Sequence, residues 1–439
     1  MSGDEIRDLP KHKKALEEAD GIVRLSRLAK TLGPILPKKA REAIASLDTA
    51  KLEVTRRNME ELAALPDRFN KSFAEWGWVM FEDMNAEVAL KAVELAEAGK
   101  PDEGEITLTD FWTTDMIHFH IGRLKRIEAF PSRWRLAVDA EDLYGEERYN
   151  ACTLLVLAVL DGMVQETSAR FLGANQNFSA EKTILEAWNS IAGHSTGLAQ
   201  LKKLLLSPRK KTNTDQVAIP YRHGIVHGMD VNFDTRLVAA KAWAALFAVG
   251  EWAYLAQKGR LSEPEPDPSD STIKQIRDAA KTMQNTRKLK MAAAAFQPRT
   301  VWKDGSVPKS GAPEDYGHGT PERTLVQFLT WWQASNYGMM ATVITVIGND
   351  PAKPADLRAW FGGKELVAFE LTNAQDQSVA RSTVSVRLHI KSRRHQWEDN
   401  VDVVLVKKLD SGMVDEMAAC PWTFFNYYDL AREPRARSS

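Results

Sequence analysis

Cysteine is nearly absent from this sequence, which has only Cys152 and Cys420 in 439 residues. Two cysteines so far apart exclude the disulfide framework of a small secreted domain and a cysteine-rich zinc site. The first residues, MSGDEIRDLPKHKK, lack the apolar core of a secretory signal. We therefore expect a protein of the reducing cytoplasm.

Long apolar runs and an excess of one charge are missing as well. The longest runs, ACTLLVLAVL and MMATVITVI, fall short of the ~18 residues that span a bilayer, so no membrane association is expected. The 58 basic and 59 acidic residues give a formal net charge of −1. Any contact with RNA or DNA must therefore come from a local patch.

The hydrophobic pattern predicts a mostly helical chain of two or three domains. Helical spacing or composition appears over eight segments: 17–33, 37–69, 73–100, 146–173, 179–206, 234–260, 272–296 and 322–348. After these, apolar and polar residues alternate within residues 364–410, as in ARSTVSVRLHIKS. That alternation predicts antiparallel strands with one buried face, which indicates a separate α+β domain.

The segment IPYRHGIVHGMD, residues 219–230, contains an arginine, two histidines and two glycines within a few positions. Arg222 precedes His227 by five positions, and His223 lies between them. A guanidinium can hold a scissile phosphate with two hydrogen bonds, and an imidazole can transfer a proton near neutral pH. This pair suits cleavage of RNA by its own 2′-hydroxyl without a metal. One pair supplies one proton transfer, so a symmetric dimer would complete the mechanism.

The spacing alone is common, and a second copy exists at Arg7 and His12. That copy lies in a polar, proline-broken segment with no long helix behind it. The copy at Arg222 is distinguished by the preceding proline, by Gly224 and Gly228, and by the long apolar helix that follows.

The sequence YRHGIVHG resembles the arginine–polar–x3–histidine motif of HEPN domains, with His223 in the polar position. The similarity extends over residues 140–260, where two helices, a loop and the motif at the start of a last long helix follow the HEPN order. It implies a four-helix bundle and a metal-independent, dimeric ribonuclease of the toxin or anti-phage defence type. By this resemblance Arg222 contacts phosphate, His227 is the acid or base and His223 is a polar support.

Other resemblances and site residues are less specific. PERTLVQFLTWWQASNYGMMA and the strands after it are similar to SnoaL-like α+β cone domains. Lys210 and Lys211 in PRKKTNT could guide RNA or form a solvated loop, and Asp161 could orient the motif or bond locally. We assign Lys210, Lys211 and Asp161 to substrate binding.

The alternative interpretation of the motif is structural: a turn at the start of a helix, in which the arginine forms an ion pair and the histidine is packed in the core. His223 and His227 also have metal-ligand spacing, as does His118-Phe-His120 more weakly, but no third ligand is close in sequence. Trp331, Trp332 and Tyr337 could line a ligand pocket, although core packing explains them as well.

We predict a mostly α protein with an N-terminal helical region, a HEPN-like four-helix bundle, a linker with one basic helix, and a C-terminal α+β domain with an antiparallel sheet (residues 1–135, 136–260, 261–319 and 320–432). The predicted function is a metal- and cofactor-independent endoribonuclease that leaves a 2′,3′-cyclic phosphate. Its expected partners are RNA (tRNA included), a second copy of the chain and a regulatory protein. The alternative is a non-catalytic scaffold that dimerises or binds a nucleotide, with a C-terminal domain that binds a partner or ligand.

Overall fold

A computed structural model describes residues 5–31, 49–173, 178, 183–263, 296–299, 307–344, 352–393, 395–407, 420–424 and 427–431. The chain forms two compact units, Met1–Glu265 and Pro266–Ser439. In their described residues the first unit is helical and the second combines helices with an antiparallel sheet. The predicted fold class is therefore confirmed. The predicted basic helix at 272–296 lies almost wholly outside the described residues.

The first unit contains ten described α-helices: α1 (Pro10–Thr31), α2 (Thr49–Phe73), α3 (Ala86–Glu97), α4 (Pro101–Phe111), α5 (Thr114–Leu124), α6 (Trp134–Gly145), α7 (Tyr149–Phe171), α8 (Leu198–Leu205), α9 (Arg222–Val226) and α10 (Arg236–Gln257). Single 3-10 turns lie at Ile6–Asp8, Ala74–Trp76 and Pro131–Arg133. The long apolar helices predicted at 146–173 and 234–260 are confirmed as α7 and α10.

Helix α10 is buried along almost its whole length and packs against α7. Alanine residues, such as Ala239, Ala242 and Ala245, let neighbouring helices approach closely, while Trp243 and Phe247 fill the space between them. Phe247 stacks on Trp112, with ring centroids 5.3 Å apart. Helices from before and after residue 135 therefore share one core.

Helix α7 is the one described helix that is long and apolar enough to cross a membrane, and 56% of its most apolar 18-residue window is buried inside the protein. The whole helix is longer than the apolar run ACTLLVLAVL within it, so it passes by length and composition a test that the run alone is too short to meet. Its burial is typical of the core helix of a globular unit, and the described residues do not contain the several such helices of a multi-span membrane protein.

The single helix predicted over 73–100 is wrong. Gly77 has a φ of +88° and ends the 3-10 turn at Ala74–Trp76, because glycine adopts this left-handed conformation without steric cost. The chain then runs without helix to Asn85, whose side chain accepts a hydrogen bond from the Val88 amide and caps α3.

The amphipathic helix predicted over 179–206 is also wrong for most of its length. Among its described residues, 183–197 are irregular or form turns, and α8 is the helical part. Gly193 and Gly197 make these turns possible, because a Cβ atom on either would collide with the backbone of Ala187 or Ala192. The Ser190 hydroxyl and the Ala192 amide donate to the buried carboxylate of Glu251 on α10, which fixes the turns against the core.

The second unit contains three described α-helices and four strands: α11 (Pro321–Gln333), α12 (Tyr337–Thr342), α13 (Pro354–Phe361), β1 (Lys364–Ser378), β2 (Arg381–Ser392), β3 (Gln396–Lys407) and β4 (Trp422–Phe424). The strands form an antiparallel sheet in the order β1-β2-β3-β4. Val384, Val386, Leu388 and Ile390 of β2 are fully buried on one face, as their alternation predicts.

Helix α11 covers that buried face of the sheet. Trp332 is buried and donates its indole N–H to the Lys364 carbonyl at 3.0 Å, while Trp331 and Tyr337 pack against the same core. The single helix predicted over 322–348 is wrong, because it is broken between α11 and α12. Ser335 there has a φ of +53°, and the side chain of Asn336 caps α12.

Candidate functional site

The motif lies on its own five-residue helix, α9, and not at the start of the long helix as the sequence predicts. Tyr221 precedes α9, His227 ends it, and Gly228 follows with a φ of +68°. The amides of Met229 and Asp230 donate to the Gly224 carbonyl at 2.7 and 3.0 Å, closing the end of the helix. This left-handed glycine stops the helix before α10 can begin.

Apolar packing holds α9 on the protein. Ile225 is 4% exposed and belongs to a small cluster with Leu157 of α7 and Val238 of α10. Val217 and Phe233, from the segments on either side of α9, complete this cluster. Burial of Ile225 fixes the rotation of the helix, which leaves His227 exposed and Arg222 beside α7.

Arg222 lies beside Asp161 of α7. Its Nε and Nη2 atoms both donate to Asp161 Oδ2, at 3.0 and 2.5 Å, and the two side chains are 14% and 21% exposed. Burial raises the pKa of Asp161 above its ordinary value, and the hydrogen bond and charge of Arg222 oppose that rise. Within the described part of the chain, Asp161 Oδ1 is buried without a hydrogen-bond partner.

Asp161 uses two of the five N–H groups of the guanidinium. No hydrogen bond from Nη1 is found among the described residues. Three donors therefore remain for an anion, in the planar arrangement that suits phosphate oxygens.

His223 and His227 are neighbours on α9. Their rings lie edge to face, with centroids 4.7 Å apart and an interplanar angle of 62°. His227 is exposed, whereas His223 is half-buried. Rings at this distance are in contact, so a phosphate group cannot lie between them and receive protons from opposite sides. Two-sided acid and base catalysis therefore requires a second proton-transfer group from elsewhere.

A buried carboxylate that the sequence did not single out lies behind the motif. Asp230 is 0% exposed, and its two oxygens accept from Arg209 Nε at 3.0 and 2.9 Å. Its Oδ1 atom also accepts from the Asn213 side chain at 3.0 Å. The Arg209 guanidinium lies 4.0 Å from the centroid of the Tyr221 ring. The loop before the motif is thereby attached to both ends of α9.

Lys210 and Lys211 are exposed in this loop, between the two anchored residues Arg209 and Asn213. The loop thus presents positive charge next to a chain segment that is bonded to the motif helix.

The histidines of HFH have separate roles in packing. His118 Nδ1 lies 3.2 Å from Glu141 Oε2, and His120 is buried among Phe81, Trp112 and Phe247. Burial lowers the pKa of His120 to about 4. Across the described residues no group of three His, Cys, Asp or Glu side chains could hold a metal ion.

Comparison with known proteins does not identify a family for this chain. No protein-family model matches this chain, and neither the curated proteins nor the solved structures contain a match.

Proposed function

We propose that the protein is a metal-independent endoribonuclease in which Arg222 contacts the scissile phosphate and His227 transfers a proton. The observation that carries this proposal is the arrangement of α9: the exposed His227 ends the short helix that begins at Arg222, and three guanidinium donors of Arg222 have no partner among the described residues. Attack of the 2′-hydroxyl on the phosphorus would leave a 2′,3′-cyclic phosphate and a 5′-hydroxyl. A toxin or anti-phage defence role in the cytoplasm, with RNA such as tRNA as substrate, is consistent with such an activity.

In this proposal each side chain has one role. The free N–H groups of Arg222 would bind the non-bridging phosphate oxygens and stabilise the charge that grows in the transition state. Asp161 would orient the guanidinium through the two hydrogen bonds that its Oδ2 atom accepts. His223, in ring contact with His227, would restrict the orientation of that imidazole.

A homodimer would supply a second imidazole for the other proton transfer. Among the described residues an exposed apolar stripe runs along α7 on the side of Asp161, with Leu154 42% exposed and Ala158 also exposed, and Val226 of α9 is 43% exposed. A second copy that packs on this stripe would bring two motifs together, as a two-fold axis requires.

The test is cleavage of total RNA and of tRNA by the purified protein in excess EDTA. Arg222→Ala and His227→Ala should each reduce the rate at least about 100-fold, the effect of losing a transition-state donor or a general acid. His318→Ala, which removes an exposed histidine of the second unit, is the matched control and should retain the full rate.

The dimer is tested separately by sedimentation. Leu154→Glu should produce a monomer with little cleavage activity, whereas Ile106→Glu, at a 59% exposed apolar position on α4, should change neither property. A monomeric wild-type protein that cleaves RNA would contradict the dimer but not the ribonuclease.

One observation favours the non-catalytic scaffold, namely that Arg222 is already paired with a carboxylate. If Arg222 only stabilises the fold, the Arg222→Ala protein should be less stable and the wild type should not cleave RNA. If the wild type and both motif variants show the same background cleavage at concentrations that favour dimers, the ribonuclease proposal fails and the non-catalytic scaffold is favoured.

A further inference from the structure

The carboxylate of Asp230 connects the motif helix with the basic loop in front of it. Its backbone amide donates to the Gly224 carbonyl of α9 at 3.0 Å, while its side chain accepts from Arg209 and Asn213. The residue has no exposed surface. Such a buried charge is costly unless it is fully bonded, so the loop and the helix are held in one arrangement.

The backbone strengthens this connection. The Asn213 amide donates to the Met229 carbonyl at 2.6 Å, and the Val231 amide donates to the Asn213 carbonyl at 3.2 Å. Both ends of the segment from Arg209 to Asn213 are therefore fixed to the chain that contains the motif. The two lysines between them are exposed on a short, closed turn.

We propose that Asp230 is a positioning residue for RNA binding: it fixes the turn so that Lys210 and Lys211 contact backbone phosphates of the strand that enters the motif. This inference rests on the proposed ribonuclease function and deepens it, because it assigns the phosphate contacts next to the cleaved bond to one turn. The ligand class is a single-stranded RNA backbone, recognised by charge and not by base sequence.

The change in RNA affinity on replacing Asp230 distinguishes a positioning role from an effect of charge alone. A carboxylate near the RNA backbone repels phosphate, so its replacement by a neutral amide should strengthen binding if only charge matters. If Asp230 positions the lysines, the same replacement should weaken binding, because the turn loses its anchor.

The experiment measures the dissociation constant of a 2′-O-methyl RNA oligonucleotide, which cannot be cleaved, at several salt concentrations. The variants are Asp230→Asn, the pair Lys210→Gln with Lys211→Gln, and all three changes together. Asp215→Asn is the control, because Asp215 is an exposed carboxylate close to the same turn.

The lysine pair should reduce the salt dependence of log Kd by about 1.4, the effect of two lost phosphate contacts on a single strand. Asp230→Asn should weaken binding about 10-fold, and adding it to the lysine pair should cause little further loss, because the two changes remove the same contact. Asp215→Asn should leave binding unchanged or make it tighter.

Near-UV circular dichroism and the thermal midpoint check that each variant is folded. Should Asp230→Asn unfold, Asn213→Ala takes its place, since it removes one hydrogen bond to the same carboxylate and leaves the charge. Tighter binding by Asp230→Asn, or fully additive losses, would overturn the positioning role while the ribonuclease stands. A wild type that neither binds nor cleaves RNA would overturn both proposals.

Discussion

Replacing Gly224 with alanine sets two effects on stability against each other: the gain in helix propensity and a collision with a neighbouring side chain. In an open helical position, glycine to alanine stabilises a protein by up to about 1 kcal/mol, because alanine has the higher helix propensity. At Gly224, however, a Cβ atom would collide with the Asp230 carboxylate, only 2.7 Å from its Cγ atom. We expect Gly224→Ala to be destabilising.

The loss of stability depends on which atoms must move to make room for the alanine methyl group. Asp230 is fully buried and backed by Arg209 and Asn213, so the new methyl group must displace a bonded carboxylate and not a flexible side-chain end. Breaking a buried ion pair costs about 3 kcal/mol or more, and the gain in helix propensity offsets about 1 kcal/mol of it. The net loss should be about 2 kcal/mol.

The assay is urea unfolding of the wild type, Gly224→Ala and Gly122→Ala. Gly122 is the matched control, because it lies within helix α5 and a Cβ atom there would meet nothing within 4 Å. Gly122→Ala should be more stable than the wild type and Gly224→Ala less stable, with weaker RNA cleavage. A stabilised Gly224→Ala protein would refute the close contact on which the Asp230 connection depends.

Three further outcomes are expected. Burial raises the pKa of Glu251 from 4.5 to about 7. Folding stability should therefore fall as the pH rises across that window, by about 3 kcal/mol in total, because the unfolded chain loses this proton first. The free energy of unfolding of Glu251→Gln, measured with urea, should therefore rise relative to that of the wild type as the pH increases from 4.5 to 7.5. A difference between the two proteins that does not change with pH would contradict the raised pKa of Glu251. Arg222→Lys retains the charge but not the planar fork, so cleavage should fall at least about 10-fold with little change in thermal midpoint; a fully active lysine variant would argue against paired phosphate contacts. Ser335→Gly should stabilise the second unit by about 1 kcal/mol, since Ser335 has a φ of +53°, and calorimetry showing a loss would contradict that strain.

The parts of the fold that depend on periodicity could be predicted from the sequence. The apolar helices α7 and α10 and the alternating strand β2 follow from residue spacing alone. The wrongly predicted helices fail where single residues interrupt a helical pattern: at Gly77, at Gly193 with Gly197, and at Ser335. There a left-handed φ or a close backbone contact outweighs the propensity of the surrounding alanine, leucine and glutamate residues.

The candidate site was predictable only in part. The motif residues Arg222, His223 and His227 stand out by type and spacing, and Asp161 could be suggested as a charged residue on an apolar helix. Asp230 and its bonds to Arg209 and Asn213 could not be inferred, because they depend on a reversal of the chain after Gly228. The sole local signal was Gly224, a glycine inside a short helix where alanine would otherwise be preferred.

The most direct test of the ribonuclease proposal compares two substrates in excess EDTA: an RNA oligonucleotide and the same sequence with 2′-O-methyl groups throughout. We expect cleavage of the first, with 2′,3′-cyclic phosphate and 5′-hydroxyl ends, and no cleavage of the second. Equal cleavage of both, or products with 5′-phosphate ends, would contradict attack by the 2′-hydroxyl under the control of Arg222 and His227.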